Sequence, residues 1–521
     1  MENVYSSKNK TFWIAFILTV FFVAWGVFGI ESLRVVSDAS FNFMVKNFGW
    51  SFMLGATIFV AVSLYLLFSK VGKIRLGEQD EKPKYSRFTW FSMLFSAGMG
   101  VGLIFWGVSE PIWHYIWPAT GAAANAAAET NAAAVNAMRL SFFHWGIHPW
   151  AIYIMVGGAL AYFSYHRGLP LTLGSTLSPI IGEENVDKGW GRLVNIIGVF
   201  ATLFGLATSL GLASMSIASG MAHMGWLSGT GRMVQVGIVI IVTAGAVIST
   251  VTGIDKGIKW LSRINVTIVI FLMIAVFLLG PTLFLIKIFT NSTGQYLQHI
   301  VEMSFMSDAI MDNPWLDAWT VFYWAWWIAW APFVGSFIAR VSRGRTIREF
   351  VIGSLFVPVL VSFIFFAIFG GSALHIEMFG AGGLADAVSE SEAAGFYAAL
   401  THIPLSQLLI FFATVSMTLF FITSSDSATY VNGMLTSGGE PNPPRSMRVM
   451  WGISEGAIAA ILLFSGGLSA LQTASVVSGF PFMIVMLFMV YCLLKAVHED
   501  YRKIVKSDEY SLGVKGETTG A

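Results

Sequence analysis

The chain has 521 residues, 56% of them hydrophobic and 11% charged, with a formal net charge of +1 and a mean hydropathy of +0.71. That balance excludes an ordinary soluble domain. The net charge argues neither for nor against a nucleic-acid partner, and the single cysteine, Cys492, excludes a disulfide framework or a cysteine-based metal site.

About twelve stretches reach the roughly 20 apolar residues that a helical crossing needs, from Thr11 to Ile30 at one end to Ser475 to Leu494 at the other. Runs of this length predict an all-α polytopic membrane protein; the strands of a β-barrel read as short alternating segments. The first run is too long for a signal-peptide core and lacks a small-residue cleavage site, so it reads as span one. With the N-terminus in the cytoplasm, the inside loops hold Lys70, Lys73, Arg75, Lys82, Lys84 and Arg87, then Lys256, Lys259 and Arg263, then Arg340, Arg343, Arg345 and Arg348. The outer segment from Ile376 to Pro404 has no Lys or Arg. This asymmetry places both termini in the cytoplasm.

Four segments between or beyond the spans have their own character. Gly121 to Met138, rich in alanine and asparagine, favours a surface helix. Gly168 to Trp190 reads as an irregular inner loop. Asn291 to Pro314 has apolar residues at helical spacing among polar ones, the pattern of an amphipathic helix lying on the membrane. The tail after Ala496 is a short, partly helical or disordered extension.

Span three, Phe88 to Pro111, contains Gly98, Gly100 and Gly102, and span eight, Asp317 to Arg340, contains Pro332 and Gly335. Both are expected to be interrupted. Transporters built from inverted repeats place broken helices at matching positions in their two halves, with substrate and ions bound there. The spacing predicts an N-terminal segment with two extra helices (1–87), a first five-helix repeat (88–290), an external amphipathic helix (291–315), a second repeat (316–496) and a cytoplasmic tail (497–521).

Span eight also carries Trp324, Trp326, Trp327 and Trp330 just before Pro332. A methylated onium group is a permanent cation without a hydrogen-bond donor, so aromatic faces recognise it better than polar side chains do. On a regular helix the four indoles divide into Trp324 with Trp327 and Trp326 with Trp330. A second aromatic group on span four, with Trp145, Trp150 and Tyr153, supplies an opposite wall. Trp13, Trp50 and Trp90 fit an interfacial belt, and His148 reads as a packing or hydrogen-bonding residue. For a coupling cation, backbone carbonyls at Ser96 to Gly102 and the run Thr423, Ser424, Ser425, Asp426, Ser427 on span ten offer oxygen ligands. The same hydroxyls also suit close helix packing. Asp426 is a functional candidate as an intramembrane ionisable residue, or a helix tie near the cytoplasmic end; Glu110, beside Pro111, is less telling. No HExxH motif or His and carboxylate cluster on one span points to an enzyme.

The chain resembles the betaine/carnitine/choline transporter (BCCT) family across nearly all its spans, through GMGVG at Gly98 to Gly102, WGIHPWAIY at Trp145 to Tyr153 and WAWWIAWAPFVGSFIARVSRGR from Trp324 to Arg345. The resemblance implies a LeuT-like fold of two inverted five-helix repeats, a homotrimer in the lipid of the bacterial inner membrane, and no nucleic-acid partner. It implies a substrate cage of Trp145, Trp150, Tyr153 and Trp327, with Trp326 and Trp330 below it, Trp324 and Phe337 nearby and Met99 at the broken helix. The implied substrate is glycine betaine or a related betaine, carnitine, choline or dimethylsulfoniopropionate, with no cofactor beyond a coupling sodium ion. That ion would be held by Ser96, Met99, Phe420, Thr423 and Ser424. A second sodium site would use Thr202 and Phe333, but Leu206 stands where a second hydroxyl is expected. Gly102, acidic in proton-coupled choline carriers, and the absence of a basic side chain between Gly198 and Ser216 favour sodium symport by alternating access over proton coupling or ion-independent exchange. The short termini imply weak osmotic regulation at most.

Overall fold

A computed structural model describes residues 10–511 except 99, 120–125, 253–254, 308 and 310–313, and gives the backbone alone at 95–98, 251–252, 255–259 and 504–511. Among the described residues the chain is helical, with one isolated bridge between Arg75 and Thr346. Eleven helical segments are long and apolar enough to cross a membrane. The sequence's span three is absent from those eleven because it is broken into two shorter helices; counted with them it brings the spans among the described residues to twelve, against about twelve expected.

The opening helices are α1 (Lys10–Phe28) and α2 (Ile30–Phe68). Span three is α3 (Arg87–Gly98) and α4 (Val101–Ile116), separated at an extended Gly100. Span four is α5 (Asn131–Trp145) and α6 (Ile147–Ala161). A Cβ at the intervening Gly146 would sit 2.8 Å from the Tyr296 hydroxyl. That hydroxyl accepts the Ile147 backbone N–H freed by the break (3.1 Å). Next come α7 (Gly189–His223), α8 (Arg232–Thr252), α9 (Asp255–Leu279) and the amphipathic α10 (Thr282–Ser304), which supplies Tyr296. The second half contains α11 (Phe322–Val341), α12 (Ile347–Phe379), α13 (Ser406–Thr436), α14 (Arg445–Gly466) and α15 (Leu468–Ser511).

The structure corrects four local expectations. Residues Asn131 to Met138 are the first turns of α5, with Ala133, Ala137 and Met138 buried, and do not form a surface helix. Small side chains let this stretch pack closely inside the bundle. The inner segment after Gly168 holds short helical turns at Gly174–Leu177 and Ser178–Ile181, and their residues from Gly174 to Ser178 are buried. The amphipathic helix begins at Thr282, well before Asn291. The tail, expected to be partly helical, continues the last span as helix to Ser511. There Tyr162 (2.5 Å) and Arg167 (3.0 Å) donate to Asp500, fastening the tail to the end of span four.

The fourth correction concerns span eight, which is continuous through Pro332. Proline removes one backbone donor, and neighbouring helices and hydroxyls absorb that loss inside a bundle. Ser336 Oγ makes an ordinary back-bond to the Pro332 carbonyl one turn earlier at 2.6 Å, within the continuous helix. The irregular turn lies earlier instead, as a π-helical turn over Asp317–Val321.

The apolar windows of Asn131–His166 and Pro314–Val341 are each 94% buried, against 22% for Arg232–Thr250 and Trp260–Leu279. Spans four and eight therefore form the centre of the bundle, and spans six and seven lie on its outside with most of their surface uncovered. An apolar groove of about 690 Å³ on that outer side, lined by Phe91, Ile270, Leu285 and Val361 among others, is remote from the tryptophan cluster.

Candidate functional site

Helix α11 packs against α6, α7 and α15, so the indoles of span eight are enclosed and Trp324, Trp326, Trp327 and Trp330 are all buried. Trp327 meets Trp145 edge to face at 4.9 Å and 74°, and Tyr153 at 6.3 Å and 78°. Tyr153 in turn meets Trp150 at 5.6 Å and 83°. The four rings thus stand nearly perpendicular to the neighbours they touch, the geometry that quadrupoles favour, and they are brought together from α5, α6 and α11.

Below them, rings continue along α11. Trp326 lies parallel to Trp327 at 4.7 Å, Trp330 meets Trp326 edge-on at 6.3 Å, and Phe333 meets Trp330 at 5.5 Å. Trp326 and Trp327 therefore stack although they are adjacent in sequence, and the two-face division expected of a regular helix does not describe this site. Trp324 is directed elsewhere: it stacks on His148 at 5.2 Å, touches Phe143 and donates to Met53 Sδ. It is a packing residue between α2, α5 and α6. His148 holds the role expected of it, bonded to Ser304 Oγ at 3.0 Å.

Glycines let the broken helix reach this cluster. A Cβ on Gly102 would lie 2.7 Å from Trp145 Cη2 and 2.8 Å from Trp326 Cη2, and one on Gly205 would lie 2.9 Å from Trp330 Cδ1. Only a residue without a side chain fits at these approaches. The Gly205 carbonyl accepts the Trp330 indole N–H at 2.8 Å.

The residue that sequence reasoning underrated is Glu110. It is fully buried on α4. Its Oε2 accepts the Trp145 indole N–H (2.8 Å) and the Tyr323 hydroxyl (2.5 Å), and its Oε1 accepts His144 Nδ1 (2.7 Å) and approaches His114 Nε2 (3.3 Å). His144 Nε2 continues to Thr320 Oγ1 at 2.9 Å, and the Trp327 indole donates to the His144 carbonyl at 3.1 Å. One carboxyl on α4 therefore fixes rings contributed by α5 and α11. Glu110, His114 and His144 also have the composition of a metal cluster, and in this structure Glu110 and His144 are joined by a 2.7 Å hydrogen bond. The available signal was Glu110 and His114 at i and i+4 within a span, where ionisable residues are functional by default.

The residues assigned to sodium are placed as follows. Thr423 on α13 donates to the Leu419 carbonyl at 2.8 Å and approaches the Phe420 carbonyl at 3.4 Å; Ser424 is half-buried beside it. Helix α13 packs against α4. Met99 and the Ser96 side chain lie outside the described residues. On α7, Thr202 donates to the Gly198 carbonyl at 2.9 Å and Leu206 is buried. Asp426 joins three helices, accepting Arg448 at 2.8 Å and Thr250 at 3.0 Å.

Comparison with known proteins agrees with this architecture. The family model described as BCCT, betaine/carnitine/choline family transporter, matches residues 10–502. The chain is 44% identical over 503 residues to the glycine betaine transporter OpuD of Bacillus subtilis, covering 96% of each chain. It is 40% identical to a probable glycine betaine transporter of Desulfitobacterium hafniense (96% of this chain, 99% of the relative). Against the betaine/ectoine transporter LcoP of Corynebacterium glutamicum the identity is 36% (96% of this chain, 79% of the relative). These relatives are transporters and not enzymes. A twelve-crossing helical bundle, with tryptophans enclosed at a glycine-broken helix and a family match across almost its whole length, belongs to the betaine/carnitine/choline transporter family.

Proposed function

We propose that this chain imports a betaine-type zwitterion, glycine betaine first among them, by sodium symport with alternating access. The observation that carries the reading is the group of four rings, Trp145, Trp327, Tyr153 and Trp150, joined by three near-perpendicular contacts. Desolvated aromatic faces contribute about 2 kcal/mol each to an onium cation. The names of the relatives favour a betaine over choline, as does Gly102 in place of an acidic residue.

In this reading the solute sits in the ring group, and sodium is held beside it by carbonyls at the α3–α4 break with Thr423 and Ser424. The second sodium site, at Thr202 and Phe333, lacks the hydroxyl that Leu206 replaces. The repeats rock about these sites, and the protein works as a homotrimer in the bacterial inner membrane with both termini inside. Its basic loops support that orientation: Arg343 pairs with Glu81 at 2.6 Å and Arg345 stacks on Trp90 at 4.5 Å.

Uptake of labelled glycine betaine into proteoliposomes tests the proposal: it accumulates only with an inward sodium gradient. Accumulation independent of sodium would refute the coupling. The Leu206 position favours one rival, an exchanger without ion coupling, which would instead show counterflow with no ion gradient at all.

A further inference from the structure

Away from the ring group, α13 and α14 bury a second carboxyl. Glu455 lies in the third turn of α14 and is fully enclosed. Its polar contacts are neutral: Asn432 Nδ2 donates to Oε1 at 3.1 Å, and Ser425 Oγ lies 3.5 Å from Oε2. Gly452 and Gly456 flank it on α14 and bring the helices close. A Cβ on Gly456 would stand 2.6 Å from Thr243 of α8, and one on Gly452 would stand 3.2 Å from Thr429 of α13.

Among the described residues, the charges around it supply no counter-ion. From α13 the facing group is Asp426, of the same sign. From α14 itself the nearby cation is Arg448, which donates to Asp426 at 2.8 Å. Helix α8 presents Thr243, Val247 and Thr250. Elsewhere on the elements packed against α14, Lys10 on α1, Glu31, Arg34, Asp38 and Lys46 on α2 and Lys495 on α15 are exposed. Arg192 and His223 stand at the two ends of α7. An ionised carboxylate here would be an uncompensated charge in a dry site, which costs several kcal/mol or more.

We infer that Glu455 is a proton-binding site: its Oε2 carries a proton and donates it to Ser425 Oγ, while Oε1 accepts from Asn432, so that a neutral acid joins α13 to α14. Ser425 follows directly on Thr423 and Ser424. The proton therefore helps set the position of the hydroxyl-bearing stretch of α13.

Infrared spectroscopy of the purified full-length chain tests this without reference to any transported solute. The wild type shows the carbonyl stretch of a protonated, buried carboxyl, and Glu455→Gln, which reproduces the neutral acid's donor and acceptor, loses that band. Thermal unfolding followed against pH gives the second readout. The folded chain keeps a proton that the unfolded chain releases, so the wild type loses stability relative to Glu455→Gln as pH rises above the range of an unfolded glutamate. Should Glu455→Gln fail to fold, Ser425→Ala must still shift the carboxyl band by removing its acceptor. An unchanged spectrum in either variant, or a loss of stability with rising pH identical in wild type and Glu455→Gln, would overturn the assignment.

Discussion

Spans three and eight carry similar breaking signals in sequence, yet only span three is broken. In span three the glycines permit an extended Gly100, and the rings of Trp145 and Trp326 crowd the backbone at Gly102, where a Cβ would meet them at 2.7 and 2.8 Å. In span eight, Pro332 costs a single backbone hydrogen bond, and the chain, enclosed by neighbouring helices, continues through it as one helix. The two signals act differently. Glycine marks where a neighbour must approach the backbone, whereas proline in a membrane helix is a local defect that the bundle repairs. The structural division follows: span three contributes a break and its glycines, and span eight contributes a continuous helix that carries the rings.

Four substitutions would break or sharpen that contrast. The largest effect belongs to span eight. Trp327→Leu removes a ring that touches both Trp145 and Tyr153, and with about 2 kcal/mol at stake it is expected to weaken glycine betaine binding about 30-fold or more in a calorimetric titration. Retained affinity would mean that the rings only pack. Next is Glu110→Ala, which strands the buried donors of Trp145, Tyr323 and His144 at about 1–3 kcal/mol each. It should lower the melting temperature and reduce uptake together, whereas Glu110→Gln should recover part of both; an alanine variant with normal melting and uptake would show that these bonds do not hold the rings.

Third, Gly102→Ala drives a methyl against two indoles. Overpacking of this kind costs about 1–3 kcal/mol, so binding weakens while the chain still folds. The smallest effect is expected of Pro332→Ala, which restores the missing donor to a helix that is already continuous. Stability should change by about 1 kcal/mol or less, with uptake retained. A Pro332→Ala variant as damaged as Gly102→Ala would erase the distinction between the two spans.

The hydrophobic runs made the helical class legible, since twelve crossings need only length and apolarity. The break at Gly98 to Gly102 was legible because glycine reports directly on backbone approach. Trp145, Trp150, Tyr153 and Trp327 could be grouped only through resemblance to a family, because the contact between spans four and eight is set by packing and not by local pattern. Two features escaped. Trp324 belongs with the other tryptophans by helical spacing, yet it packs on His148 and Met53, since neighbouring helices decide which face of α11 joins the ring group. Glu110 looked like the end of a span beside a proline, and its importance appears only when His144, Trp145 and Tyr323 arrive from two other helices.

The central claim is that the rings bind a cation and not merely a bulky apolar group. The most direct test compares glycine betaine with tert-butylacetic acid, its carbon isostere, by calorimetric titration of the purified chain. The two share shape and carboxylate and differ in the positive charge of the methylated centre. The ring group predicts at least about tenfold tighter binding of glycine betaine, equivalent to about 1.4 kcal/mol of cation–π attraction. Equal affinity for both compounds would contradict it.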